Sequence, residues 1–149
     1  MKSSFTILLR ISAVLWIVWG LVHFLAGVLI MSGEPTAGFQ AIADGVAPET
    51  LEMDYPAAVG GVLNQHAWNL AWGGLVTIIG AVLIWRKNMT AIWVTAMIGG
   101  LLDLGYFIFI DMGGFSLFVP GTIMTIISSL AIILSLFVWF PSRKTVPVV

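Results

Sequence analysis

The chain has 149 residues, of which 60% are apolar and 9% are charged, and its formal net charge is −1. A mean hydropathy of +1.07 leaves too little polar surface for a small soluble domain and is typical of an integral membrane protein. The near-neutral charge excludes a nucleic-acid-binding surface, and the absence of cysteine excludes disulfides, thiol chemistry and thiolate metal sites.

Four apolar runs are each long enough to cross about 30 Å of hydrocarbon as an α-helix. We expect helices rather than a β-barrel, because the runs are continuously apolar and do not alternate with a period of two. The first run is too long for the apolar core of a secretory signal and is expected to be a retained helix. The predicted helices cover residues 5–31, 58–85, 91–110 and 117–140, within a single domain of residues 1–149.

The basic residues predict how these helices are oriented. They lie before or within the first run, between the second and third runs, or after the fourth: Lys2, Arg10, Arg86, Lys87, Arg143 and Lys144. The long connection 33–57 has no basic residue and five acidic ones. Lys and Arg in short loops are retained on the cytoplasmic side, and short turns join antiparallel neighbours. The sequence therefore predicts an all-α, antiparallel four-helix bundle in a bacterial cytoplasmic (inner) membrane, with cytoplasmic termini and an acidic outer loop.

The outer loop is divided by three prolines: Pro35, Pro48 and Pro56. Residues 36–44 predict a short helix that ends at Gly45, and residues 49–54 predict a further single turn. The loop is either a solvated acidic cap, which is the common role of a charged loop, or a lid or docking surface.

Three of the predicted helices carry an ionisable side chain at a similar depth. His23, His66 and Asp103 each lie about eight residues, or ~12 Å, from the outer end of their helix. The inner half of the predicted membrane region has no such group, which argues against a channel or a proton carrier. Because a polar group in hydrocarbon needs a partner or a function, these side chains predict a pocket in the outer leaflet.

Neighbouring residues are predicted to bind the ligand of this pocket. Asn69 lies one turn from His66, and Tyr106 lies one turn from Asp103. The remaining predicted ligand-binding residues are Trp19, Trp72 and Thr125. A structural alternative stays open, in which His–Asp or His–Asn hydrogen bonds join helices and contribute about 1 kcal/mol or less each.

Three kinds of chemistry fit the His/His/Asp set. His23, His66 and Asp103 have the donors of a divalent metal site with open positions. Two histidines on facing helices also match the axial ligands of a haem iron. Without a cofactor, Asp103 would orient a histidine that acts as general acid or base on a lipophilic molecule. The sequence leaves the cofactor open, and with it the question of whether the protein is an enzyme.

The first half of the chain resembles known small membrane proteins. Arg10 followed by residues 16–27 resembles the opening of the DoxX-like four-helix membrane proteins. His23, the Ala-Asp-Gly sequence at 43–45 and a second helix rich in Gly and aromatic residues also resemble small uncharacterised bacterial four-helix proteins. The resemblance implies a four-helix bundle and assigns no catalytic residue.

A different class of function is an accessory subunit without chemistry of its own. Seven Trp residues are compatible with packing against a larger membrane complex or a second copy, and equally with contacts to membrane lipids or a lipophilic ligand. Lipid-facing and partner-facing surfaces have the same apolar composition, so the sequence does not separate these alternatives.

Overall fold

The computed structural model describes residues 3–142, and none of these residues forms a β-strand. Four helices are long and apolar enough to span a membrane, which confirms the predicted all-α membrane class. The elements are α1 (Ser3–Ser32), α2 (Pro35–Ile42), α3 (Pro48–Leu51), α4 (Ala57–Trp85), α5 (Met89–Tyr106), two π-helical segments (Phe107–Asp111 and Phe118–Thr122) and α6 (Ile123–Ser142). Three of the basic residues used to predict the orientation lie outside the described residues: Lys2, Arg143 and Lys144.

Local sequence explains where several helices begin. Pro35 and Pro48 occupy the first positions of α2 and α3, where a missing N–H costs little. Asn88 caps α5, because its Oδ1 accepts hydrogen bonds from the amides two and three residues later, at 3.0 and 3.2 Å. The turn between α4 and α5 places Lys87 in the left-handed region, with φ of 65°.

Glycines allow α1 and α4 to pack at very short distance. A Cβ on Gly20 would lie 2.7 Å from the carbonyl oxygen of Gly74, and a Cβ on Gly27 would lie 2.8 Å from the Cβ of Ala71. Small residues permit this close approach of helices in a membrane. The contact of α1 with α4 is the most extensive in the molecule; α1 also packs on α6, and α5 packs on α4 and α6.

The two ends of the helix assembly differ in how they are filled. We call the end near residues 33–57 the loop end and the end near Arg86 the turn end. The buried core, which includes Trp16, Ile84 and Ile92, fills the turn end. Arg10 also lies there, 5.1 Å from the centre of the Trp85 ring. The loop end contains the cavity described below.

Candidate functional site

A cavity of about 600 Å³ occupies the loop end. Its walls come from α1, α4, α5, the segment 39–44 and the start of the last helix, and most of its lining side chains are apolar. The ionisable lining residues are His23, Asp44, His66, Asp103 and Tyr106, and none of the described lining residues is Lys or Arg. A cavity of this volume, with few polar groups in an apolar wall, is typical of a small-molecule site.

The closest histidine–carboxylate pair of the described residues lies in the wall of this cavity. Nε2 of His23 lies 3.9 Å from Oδ1 of Asp103. The second carboxyl oxygen of Asp103 accepts a hydrogen bond from the hydroxyl of Ser128. Asp103 is only 3% exposed, and a carboxyl group buried to that degree needs polar partners. The arrangement therefore connects α1, α5 and α6 through one carboxyl group.

The local helix fixes the orientation of the His23 ring. Nδ1 of His23 lies 2.8 Å from the carbonyl oxygen of Trp19, and a carbonyl can only accept, so Nδ1 carries the hydrogen. The imidazole also stacks on the fully buried Trp19 indole, with 3.7 Å between ring centres and 19° between planes. In the neutral ring, Nε2 is then left as a hydrogen-bond acceptor. Trp19 thus packs against one face of the His23 ring and is not itself part of the cavity lining.

His66 lines the same cavity at a different level. The backbone of Phe24, next to His23, packs against Gly74 of α4. His66 lies about eight residues from Gly74 toward the loop end, which is ~12 Å along the helix axis. The two histidines nevertheless line one cavity. No hydrogen bond or ion pair of His66 is found within residues 3–142.

The described residues bear on the predicted metal site. Within the part of the chain that the structure describes, no group of three or more His, Cys, Asp or Glu side chains is arranged to hold a metal ion. His23, His66 and Asp103 therefore do not form a three-ligand metal site, and the haem alternative stays a prediction.

Besides Trp19, two further predicted ligand-binding residues, Asn69 and Trp72, do not line the cavity. Asn69 accepts a hydrogen bond from Nε1 of Trp72 at 3.1 Å, and Trp72 is 41% exposed. The cavity lining includes neither residue.

The other two predicted residues lie closer to the α5–α6 contact. Tyr106 lines the cavity, and its hydroxyl lies 2.8 Å from Oγ of Ser116. Thr125 donates a hydrogen bond of 3.2 Å to Asp111 and lines a groove of about 570 Å³ between α5 and α6 instead of the cavity. Asp103 borders both the cavity and this groove.

The loop 33–57 covers the cavity and is attached to the loop that follows α5. Oδ1 of Asp44 accepts a hydrogen bond from the amide of Leu117 at 2.7 Å. The backbone amide of Gly45, the residue after Asp44, donates a hydrogen bond to the carbonyl oxygen of Phe115 at 2.9 Å. A Cβ on Gly45 would lie 2.9 Å from that carbonyl carbon, so only glycine permits this approach. Residues 39 and 41–44 line the cavity, and we call residues 39–44 the lid.

Sequence reasoning missed two polar residues of this region. Ser128 lies on the buried face of the last helix, and only packing shows that it meets Asp103. Asp44 belongs to the acidic loop 33–57, for which the sequence predicts no contact with the cavity. The one signal in the sequence is that Asp44 directly precedes Gly45. These two residues make the two hydrogen bonds to the loop after α5.

Comparisons of this chain with protein-family models, with curated proteins and with solved structures find no match. The geometry of the site therefore carries the functional argument, and the resemblance to DoxX-like proteins stays a prediction.

Proposed function

We propose that this chain is an integral membrane protein that binds a lipophilic small molecule in the cavity at the loop end. The observation that carries the proposal is an apolar cavity of about 600 Å³ with a buried His23–Asp103 pair in its wall. Convergent polar groups in an apolar pocket fix the orientation of a ligand, while the apolar wall supplies most of the contact area.

The proposal includes an orientation in the membrane. Arg10, Arg86 and Lys87 lie at the turn end, whereas the acidic loop lies at the other end. Following the rule that basic residues stay inside, we place the turn end at the cytoplasmic face of an antiparallel four-helix bundle in a bacterial cytoplasmic membrane. The cavity then lies in the outer leaflet. A relationship to the DoxX-like four-helix proteins is part of the same proposal.

Acid–base chemistry is an extension of this binding function. With Nδ1 bonded to the Trp19 carbonyl, Nε2 of His23 is the nitrogen available to accept a proton from a bound hydroxyl group. Asp103, 3.9 Å away, would stabilise the imidazolium that forms. The proton moves from the ligand oxygen to Nε2 and returns when the ligand is released or altered.

The test compares two glycines that both have open space beside them. A Cβ added at Gly105 or at Gly61 would meet no atom within 4 Å, so both sites accept a larger side chain without a clash. Gly105 lines the cavity and Gly61 does not. We expect small molecules extracted from the purified protein and identified by mass spectrometry to fall at least tenfold in Gly105→Leu and to persist in Gly61→Leu.

The same preparation tests the cofactor alternatives. An absorption band of haem, or stoichiometric metal, that disappears in both His23→Ala and His66→Ala would overturn the proposal. So would equal ligand content in the Gly105→Leu and Gly61→Leu proteins.

One observation favours a second candidate, the accessory subunit. The outward face of α4 carries Trp68, which is 62% exposed, and Trp72, which is 41% exposed, beside exposed Asn64 and Gln65. Polar amides and Trp on a membrane helix are suited to contact with another helix, of a larger complex or of a second copy. Consistent co-purification of a partner, together with unchanged phenotype in His23→Ala and Asp103→Asn, would favour this role.

A further inference from the structure

The cavity is open on the side between α4 and the outer part of α5. Three of its lining residues are largely exposed: Val62 at 68%, Leu101 at 63% and Phe109 at 72%. Toward the turn end, α4 and α5 are in close contact, because a Cβ on Gly80 would lie 3.1 Å from the Cβ of Thr95. No contact of similar extent joins α4 to the segment Phe107–Asp111. The two helices therefore diverge toward the loop end, and we call the gap between these three residues the portal.

The face toward water is closed at the same time. The lid covers the loop end, and its last residues are attached to the loop after α5 by the Asp44–Leu117 and Gly45–Phe115 hydrogen bonds. The portal lies instead on the apolar side of two membrane-spanning helices. A molecule dissolved in the bilayer can reach the portal without crossing the lid.

The polar groups of the cavity define the chemistry of the ligand's polar end. No Lys or Arg is found among the described lining residues, whereas two carboxyl groups are, those of Asp44 and Asp103. An anionic end would lack a charge partner in a site of low dielectric constant. Nε2 of His23 is an acceptor, so the ligand must donate to it. A protonated amine would also donate, but it would have to carry its charge through the hydrocarbon of the bilayer to reach the cavity. These constraints together favour a hydroxyl or phenol group.

Building on the proposed function, we infer that the ligand is a single-chain lipophilic alcohol or phenol that enters sideways from the bilayer through the portal. Its hydroxyl group reaches the His23–Asp103 pair, its first carbons fill the apolar cavity, and the rest of its chain remains in the portal between α4 and α5. Because a hydrocarbon chain stays in contact with apolar surface along this path, the ligand is never exposed to water.

The chemical class is tested with photoreactive probes in liposomes. Three probes carry the same diazirine-bearing alkyl chain and end in a phenol, a carboxylate or an amine. After irradiation, peptide mass spectrometry locates the adducts. We expect the phenol to label cavity and portal residues at least tenfold more than the carboxylate or the amine. Labelling by either charged probe that equals or exceeds that of the phenol would overturn the inferred class.

The route is tested by the rate of phenol labelling inside the cavity. Val62→Trp narrows the portal, and Leu75→Trp is the matched control, because Leu75 is 48% exposed on the same helix and does not line the cavity. We expect the labelling rate to fall at least tenfold in Val62→Trp, to stay unchanged in Leu75→Trp and to rise in Phe109→Ala. An unchanged rate in both Val62→Trp and Phe109→Ala would overturn the lateral route.

The two proposals fail in distinguishable ways. If Gly105→Leu leaves cavity labelling unchanged, the cavity is not the binding site and both proposals fail. If Gly105→Leu abolishes cavity labelling while the portal variants keep the rate of the unaltered protein, the site stands and only the route is wrong.

Discussion

The backbone of Phe24 packs so closely on Gly74 that a Cβ on this glycine would lie 2.7 Å from the Phe24 amide nitrogen. This contact sets the level of both histidines. His23 lies beside it, deep in the cavity, whereas His66 lies about eight residues further along α4, or ~12 Å nearer the loop end. The cavity thus has a paired polar group at depth and an unpaired one nearer to the lid.

The close packing of α1 on α4 predicts a strong asymmetry between glycines. Gly27→Leu should destabilise the protein by about 1–3 kcal/mol or more, because its side chain would meet the backbone and Cβ of Ala71. Gly61→Leu adds the same side chain in open space and should change stability little. Thermal or denaturant unfolding in detergent measures both. Equal stability of the two variants would contradict the packing described for α1 and α4.

Asp103 is expected to matter more for binding than for folding. Asp103→Asn keeps the shape and the contact with Ser128, so unfolding free energy should change by about 1 kcal/mol or less. It replaces the carboxyl group that faces His23 with an amide, and affinity for the alkylphenol should fall about tenfold. Equilibrium competition against the photoreactive probe measures the affinity. His66→Ala, which removes no hydrogen bond of the described residues, should have the smaller effect on binding; the opposite ranking would contradict this assignment.

One substitution is expected to weaken the attachment of the lid to the loop after α5. Asp44→Ala removes the acceptor for the Leu117 amide, and a hydrogen bond to a charged group contributes about 1.5–3 kcal/mol. Hydrogen exchange at Leu117 and in the lid should accelerate by tenfold or more, measured by mass spectrometry. Glu49→Ala, on the same loop, has no hydrogen bond from its side chain in the described residues and serves as the control. Equal protection of the lid in both variants would show that Asp44 does not hold it.

The orientation is open to a direct chemical test, because the chain has no cysteine of its own. Single cysteines at Glu49 and at Asn88 should differ in their reaction with a membrane-impermeant maleimide added to intact cells. We expect labelling at position 49 and none at position 88 until the cells are opened. Labelling of position 88 in intact cells would reverse the proposed orientation and place the cavity in the inner leaflet.

The sequence predicts the helices well and the site in part. Hydrophobic length alone locates the four long helices, since residues 58–85 are predicted where the structure has Ala57–Trp85. The similar depth predicted for His23 and Asp103 agrees with the 3.9 Å between their side chains. The register of α1 against α4, which the close contacts of Gly20 and Gly27 set, cannot be obtained by counting from helix ends. The cavity itself is a product of packing and has no signature in the chain.

The hydrogen-bond partners of two predicted site residues also could not be obtained from the sequence. Asn69 is predicted from its spacing of one turn from His66, and Thr125 from its depth, but neither feature determines which partner a side chain takes. Asn69 instead pairs with Trp72, and Thr125 with Asp111. The Asn69–Trp72 bond lies within α4 and depends on the side-chain rotamers of two neighbours, whereas the Thr125–Asp111 bond depends on how α6 packs beside the segment Phe107–Asp111.

The glycine-mediated packing of α1 on α4 is expected to make this helix pair more rigid than the pair α5 and α6. Helices in backbone contact have little freedom to slide or separate, whereas α5 and α6 contact each other less extensively and enclose a groove of about 570 Å³. Any expansion of the cavity on filling is therefore expected to displace α5 toward this groove rather than to part α1 from α4. Asp103, which borders both spaces, lies on the element that would move.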